Sequence, residues 1–432
     1  MSSPSMLSHA QTSASLAPNI AQRRMAIIAT TIGNGLEWFD FTVYTAFAVI
    51  ISTQFFPTGN PLSSLLITVG VYGAAFVMRP LGAIAFGIYA DRVGRKPALS
   101  LSVLMMALGT ALIGVAPNYH TGGWIGPFML VFSRLLQGFS AGGEMGSASA
   151  FLIEFAPPGR RAFYTSWIQS SIAFNIVLGA LIGAIATMTL THEQLYDWGW
   201  RIPFLLGIVI GPVGFYIRGH IDESPVLENM SRHERSSSPF TEVLKEYPMQ
   251  IFASFALVAL WTTCTYVYMH YMPTYVVTEL HQPQKLAFIS VTVGGTVFMI
   301  LSPLVGLWSD KVGHRRLLLI SSAVIFLTAY PMFNAILKTP TLASLTLFSV
   351  LAGIFSACYT GPLLAAVAEL FPARVLSTGI AVSYNLAATV FGGFAAFFIT
   401  LLISATHSPL SPAFYMMVAA ALSFVGSLAV KS

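Results

Sequence analysis

Apolar residues in this chain gather into long runs, not into alternating or narrow amphipathic stripes. Twelve such stretches can be drawn, at 25–51, 64–90, 98–116, 124–155, 163–190, 201–218, 249–279, 285–309, 317–337, 341–371, 375–404 and 411–430. Each is close to or longer than the ~20 residues that carry a helix across a bilayer. Six precede and six follow the longest hydrophilic connection, residues 219–247. The pattern predicts an all-α integral membrane protein. Residues 1–22 form a disordered tail, 23–218 a first six-helix bundle, 219–247 a central loop in which Asp222 and Glu223 could cap a surface helix, and 248–432 a second bundle.

The halves repeat one another. Residues 87–97 read GIYADRVGRKP and residues 306–316 read GLWSDKVGHRR. Glu154-Phe155-Ala156-Pro157 with Arg160 returns as Glu369-Leu370-Phe371-Pro372 with Arg374. Self-similarity at long period marks a duplicated architecture. In membrane proteins, paired repeats are how transporters build two bundles that rock about a central site.

Composition and charge sharpen this. Residues are 55% hydrophobic and only 9% charged, whereas about a quarter are charged in an ordinary soluble domain. The basic residues follow topology, so the positive net charge gives no reason to expect nucleic acid. With the N-terminus inside, sixteen Lys and Arg fall in cytoplasmic segments and only Arg201, Lys285 and Lys338 outside. That asymmetry is the positive-inside rule. It places both termini in the cytoplasm, and the expected location is the inner (plasma) membrane, as a multi-pass protein. Arg23 and Arg24 precede a hydrophobic stretch longer than a signal-peptide core, with no convincing cleavage site before the next span. Cys264 and Cys358 both lie in apolar segments, which implies neither a disulfide framework nor a metal cluster. No cofactor is expected, and the chain is read as a monomer.

The repeated loops join the second span to the third and the eighth to the ninth. Gly87, Gly94, Gly306 and Gly313 permit close approach and tight turns. Asp91 and Asp310 can meet the N-terminal end of a neighbouring helix. Arg92, Arg95, Lys96 and Arg315 supply ion-pair partners. Together these residues could latch one conformation, or serve only as topological anchors. At this point the chain resembles the major facilitator superfamily, whose cytoplasmic-loop signature the pair matches. The stretch Arg134-Leu135-Leu136-Gln137-Gly138 through Glu144 is similar to that superfamily's fourth-helix arginine motif. Gly33-Asn34-Gly35-Leu36-Glu37-Trp38-Phe39-Asp40-Phe41, Met78-Arg79-Pro80-Leu81-Gly82, Trp198-Gly199-Trp200-Arg201 and Phe371-Pro372-Ala373-Arg374 narrow the resemblance to its metabolite:proton symporter branch. The resemblance implies the major facilitator fold and transport, driven by protons, of citrate, tricarballylate, 2-oxoglutarate, shikimate, proline or betaine. Sodium as the coupling ion stays open.

Five ionisable residues sit inside spans: Glu37 and Asp40 in the first, Arg79 in the second, Arg134 and Glu144 in the fourth. An intramembrane charge costs at least ~2.5–3.5 kcal/mol on insertion scales, so such groups pair and mark pathways. At ~1.5 Å per residue, Glu37, Arg79 and Glu144 lie at similar depth, and Arg134 lies further out, nearer Asp40. Three carboxylates against two arginines leave one acid over. That acid is a natural proton carrier, and its protonation would free an arginine to grip a substrate carboxylate. The alternative is that the pairs only lock helices together. Asn34, Gln137 and Gln169 are candidate substrate contacts in the first half, with Asn175 a further cavity polar residue. The second half keeps no buried charge at the positions equivalent to Arg134 and Glu144, which are Ser349 and Tyr359. It offers neutral donors instead, of which His270, Tyr271, Tyr384 and Asn385 are the candidates for substrate, and His270 also for a proton relay.

The sequence therefore points to a proton-coupled importer of a small organic anion, a di- or tricarboxylate. A zwitterion symporter, a proton-driven drug exporter and a flux-free sensor are the other classes in play. No nucleophile–base set or metal spacing supports an enzyme.

Overall fold

The structure, a computed structural model, describes residues 20–206, 216 and 239–430. Helices dominate, and no strand occurs among the described residues. The long helices are α1 (Ile20–Ala46), α2 (Pro61–Arg92), α3 (Arg95–Val115), α4 (Ile125–Phe155) and α5 (Arg161–Thr189) in the first half. A short amphipathic helix, α6 (Pro239–Glu246), opens the second. There follow α7 (Pro248–Thr278), α8 (Gln284–Val312), α9 (His314–Lys338), α10 (Leu342–Ala368), α11 (Leu376–Thr406) and α12 (Ser411–Ser427). Seven of the described helices are long and apolar enough to cross a membrane by length and composition.

Several boundaries differ from the hydrophobic runs. The first helix begins at Ile20, inside the expected tail, and gives way near Phe47 to a separate helix Ala48–Phe55. The sixth expected span, 201–218, begins as a 3-10 turn and a helix over 202–206; most of it, with Asp222 and Glu223, lies outside the described residues. Helices α7 and α11 each contain a π-helical turn, Tyr266–Tyr271 and Ala388–Gly393. A π turn inserts a residue into the helical register and occurs preferentially at functional sites. The two turns face each other, since a Cβ on Gly392 would lie 2.8 Å from the Tyr266 ring.

Helix α4 is the innermost of the first half. Every residue from Ser140 to Ile153 is buried, and Gly142, Gly143 and Gly146 within it let neighbouring helices approach closely. Against α2 the approach is backbone to backbone: a Cβ on Gly142 would lie 2.1 Å from the Arg79 carbonyl oxygen. Gly142→Ala must therefore push α2 off α4. It should cost about 1–3 kcal/mol, read as a lowered unfolding temperature in detergent, while Gly70→Ala, which meets nothing within 4 Å, should not.

Contacts between the halves fix where a site can lie. Helix α5 packs on α8 and α10, and α2 and α4 pack on α11. Ser170 donates to the Met299 carbonyl at 2.8 Å, and Asn385 Nδ2 donates to the Gly142 carbonyl at 2.7 Å. The buried charges of α1, α2 and α4 thus stand beside a seam between two bundles.

Candidate functional site

Two ion pairs form at the centre of the first half. Arg79 Nη2 donates to Glu37 Oε1 at 3.0 Å, and Arg134 Nη1 donates to Asp40 Oδ2 at 2.7 Å. Both arginines are fully buried. The successive three-residue steps from Asn34 to Glu37 to Asp40 place the acids on adjoining parts of α1, where Asp40 lies at the depth of Arg134 and Glu37 at that of Arg79. Aromatic rings complete the enclosure. The Arg79 guanidinium lies 4.8 Å from the Phe41 ring centre and 4.5 Å from that of Phe76. That of Arg134 lies 3.8 Å from Tyr44 and 5.8 Å from Phe41. Such cation–π contacts strengthen as water is excluded.

Neither arginine is saturated. Arg79 Nε and Nη1, and Arg134 Nε and Nη2, are buried without a hydrogen-bond partner. A buried donor left unmade costs about 1–3 kcal/mol, more when charged. Arg79 is the one beside the seam: its guanidinium lies on Phe76, whose ring is 5.8 Å from that of Tyr266 in α7 and would meet a Cβ on Gly393 of α11 at 2.6 Å.

The third carboxylate goes elsewhere. Glu144 Oε2 accepts from Ser102 Oγ of α3 at 2.5 Å. Counting depth brings Glu144 level with Arg79, but the helical rotation of α4 turns it toward α3. Gln137 follows the same direction, donating to Thr110 Oγ1 at 3.0 Å. Asn34 Nδ2 reaches Ser171 Oγ at 2.7 Å and ties α1 to α5. Asn175 donates to the Ser171 carbonyl at 2.6 Å. Gln169 is different: it is fully buried, and neither Nε2 nor Oε1 has a partner.

Across the seam, the polar aromatics of α7 divide. Tyr266 and His270, whose rings lie 5.3 Å apart, join the first-half cluster: Tyr266 lies 5.8 Å from Phe76, and His270 stacks on Trp38 at 6.0 Å. Tyr268 packs against Phe333 and Phe348 inside the second half. Tyr271 lies beside Tyr275, which donates to the Pro409 carbonyl, so Tyr271 is not brought to the cluster. Tyr384 packs on Trp261 at 4.9 Å. Asn385 spends its donors on Gly142 and Ala381. Tyr359 donates to the Leu257 carbonyl and meets Ser423, a packing role. A largely apolar cleft of about 410 Å³ between α1 and α5, bordered by Phe39, Trp167 and Met299, includes none of the paired charges.

At one end of the bundle the repeated loops cross from half to half. Asp91 accepts from the backbone of Ser377 at 3.3 Å and Thr378 at 2.9 Å, and from Thr378 Oγ1 at 2.5 Å. Asp310 accepts from the backbone of Ala162 and Phe163, both at 2.9 Å. Each aspartate thus caps the first turn of the other half's helix, α11 or α5, where free N–H groups and the dipole favour an anion. Gly87 and Gly306 make room, since a Cβ there would meet Thr378 Cα at 3.0 Å and Ser166 Oγ at 2.5 Å. Gly94 (φ 151°) and Gly313 (φ 99°) turn the chain into the next helix. Arg95, fully buried, binds Asp91, Glu154 at 3.2 Å and the Ala373 carbonyl at 3.1 Å. Arg92 is exposed, and Lys96 and Arg315 are half-buried.

Sequence reasoning missed Trp38 and His314. Trp38 adjoins Glu37, and its tryptophan Nε1 is buried without a partner, which no spacing announces. His314 could have been found by laying one loop over the other, where it falls opposite Arg95. It sits 3.7 Å from Glu369 and 2.8 Å from Ser309 Oγ.

A helical bundle with duplicated loops locking one half to the other, and buried ion pairs beside the seam, defines a membrane-spanning transporter. Residues 30–333 and 289–431 match the Major Facilitator Superfamily, and the chain belongs to it. It is 36% identical over 395 residues to a citrate-proton symporter of Salmonella typhi, covering 91% of each chain. It is 31% identical to a putative proline/betaine transporter of Staphylococcus aureus, covering 94% of this chain and 87% of that one. The solved structure of the proton:xylose symporter XylE bound to 6-bromo-6-deoxy-D-glucose matches with a TM-score of 0.79 at 14% identity, covering 95% of each chain.

Proposed function

We propose that the protein is a proton-coupled symporter that imports a small organic anion, a di- or tricarboxylate such as citrate or tricarballylate, by alternating access. In this reading it spans the inner membrane twelve times with both termini in the cytoplasm, and the latched end is the cytoplasmic end. The observation that carries it is Arg79, a fully buried guanidinium on the seam with Nε and Nη1 unpartnered and Nη2 on Glu37. The planar fork of arginine suits a carboxylate. A substrate carboxylate at Arg79 would stand beside Glu37, two negative charges on one cation in a low-dielectric site. A proton on Glu37 removes that conflict, so proton and substrate each favour the other's binding, the reciprocity that coupling requires. Movement of an anion inward opposes the membrane potential by roughly 2.3 kcal/mol per charge per 100 mV, and co-transported protons offset it. Asp40 then holds Arg134, and Glu144 with Ser102 stands as the alternative proton carrier.

The likeness to citrate-proton symporters supports this substrate class. A second reading, a zwitterion such as betaine, draws support from the aromatic surfaces of Trp38, Phe76 and Tyr266, which suit a quaternary ammonium. Reconstitution in liposomes with an inward proton gradient, screening citrate, tricarballylate, 2-oxoglutarate, shikimate and betaine, separates them. Uptake of tricarboxylates is expected. Robust betaine uptake without any carboxylate uptake would replace the first reading with the second.

A further inference from the structure

We infer that Trp38 and His270 form a second carboxylate subsite, made from both halves of the bundle, that selects anions with two or more carboxylates over those with one. This rests on the carboxylate reading above and extends it from the class of ligand to the number of its charged groups. Trp38 follows Glu37 on α1, and His270 lies in the π turn of α7. Their rings stack at 6.0 Å with planes 20° apart. Trp38 Nε1 and His270 Nε2 are both buried without a hydrogen-bond partner. Stacking alone needs no ring nitrogen. Two unmade polar groups at one contact, each costing about 1–3 kcal/mol when left so, are a set awaiting a ligand.

The chemistry of the set names the ligand. An indole nitrogen only donates, and an imidazole nitrogen donates in one tautomer, so an acceptor with two oxygens answers both. No cation is required, because Arg79 already supplies one to the substrate. The two sites are continuous: the Arg79 guanidinium lies on Phe76, Phe76 lies 5.8 Å from Tyr266, and Tyr266 lies 6.1 Å from Trp38 and 5.3 Å from His270. A short carbon skeleton would carry one carboxylate to Arg79 and another past Tyr266 to the stacked pair. Trp38 belongs to one half and His270 to the other. Both can reach the same carboxylate only when the halves have closed on it, so a polycarboxylate favours closure. A monocarboxylate on Arg79 gives no such bias, and a ligand shifts an equilibrium only through its differential affinity for the two states.

The test uses the purified full-length protein and calorimetric binding of tricarballylate, glutarate and butyrate at one pH. Trp38→Phe and His270→Phe keep the aromatic stack and remove the ring nitrogens; His270→Gln restores a donor. Each Phe variant should weaken tricarballylate about 10-fold or more and narrow its advantage over butyrate, while His270→Gln keeps most of that advantage. Equal weakening of all three anions, or none, overturns the inference. Should Trp38→Phe fail to fold, the two His270 variants decide the question by themselves. If the wild type binds no carboxylate in the series, the carboxylate reading itself has failed, a result distinct from wild-type binding with an unchanged ratio in the variants.

Discussion

Arg79→Lys should reduce carboxylate uptake by at least about 100-fold in kcat/KM and still yield a folded protein. Lysine keeps a positive charge for Glu37, so the buried carboxylate is not abandoned. It lacks the planar fork, and its compact ammonium cannot serve Glu37 and a substrate carboxylate in fixed geometry. Charge-assisted hydrogen bonds contribute about 1.5–3 kcal/mol each, and losing two accounts for the expected fall. Proteoliposome uptake at saturating and limiting substrate, beside an unfolding curve, measures both halves of the statement. Near-normal uptake by a folded Arg79→Lys protein would remove Arg79 from the substrate site.

Breaking the second pair should act on folding first. Asp40→Asn leaves Arg134 charged in a site with no exposure, and Arg134→Gln leaves Asp40 in the same position. Removing one partner of a buried pair costs about 3–5 kcal/mol because the other stays buried and uncompensated. Either variant should express poorly or unfold well below the wild type. The double variant Asp40→Asn with Arg134→Gln should recover most of that stability, since it strands no charge. A double-mutant cycle of unfolding free energies gives the coupling directly. Additive losses would mean that the two residues do not depend on each other.

The hydrophobic runs made most helices legible, because a lipid-facing helix must be apolar along its whole length, and that leaves a long, unambiguous signal. The duplicated loops were legible for a different reason: a tight turn and a cap demand glycine and aspartate at fixed places in both copies. Depth singled out Asp40 for Arg134, but it left Glu37 and Glu144 level with Arg79. What decided between them was the rotation of α4, which turns Glu144 toward Ser102 and which depth does not report. The π turns of α7 and α11 had no residue signature, and the first of them carries Tyr266, His270 and Tyr271. The break near Phe47 was hidden inside a continuous apolar run.

The two latches share a plan but not a counter-ion. Arg95 is fully buried and binds Asp91 and Glu154; in the second copy His314 faces Glu369 at 3.7 Å, with side-chain exposures of 14% and 28%. A buried ion pair at hydrogen-bond distance holds more firmly than a longer, partly exposed contact that solvent screens. The seam therefore has one clasp closed by a fully buried arginine and one closed by a longer, partly exposed contact. Opening should begin beside α5 and α8, before α2 parts from α11. As the latched side opens, spin-label distances should lengthen across the α5–α8 seam before they do across the α2–α11 seam, and His314→Arg should narrow the difference. The bundle would then work less like a symmetric rocker than like a door hung on the Arg95 side.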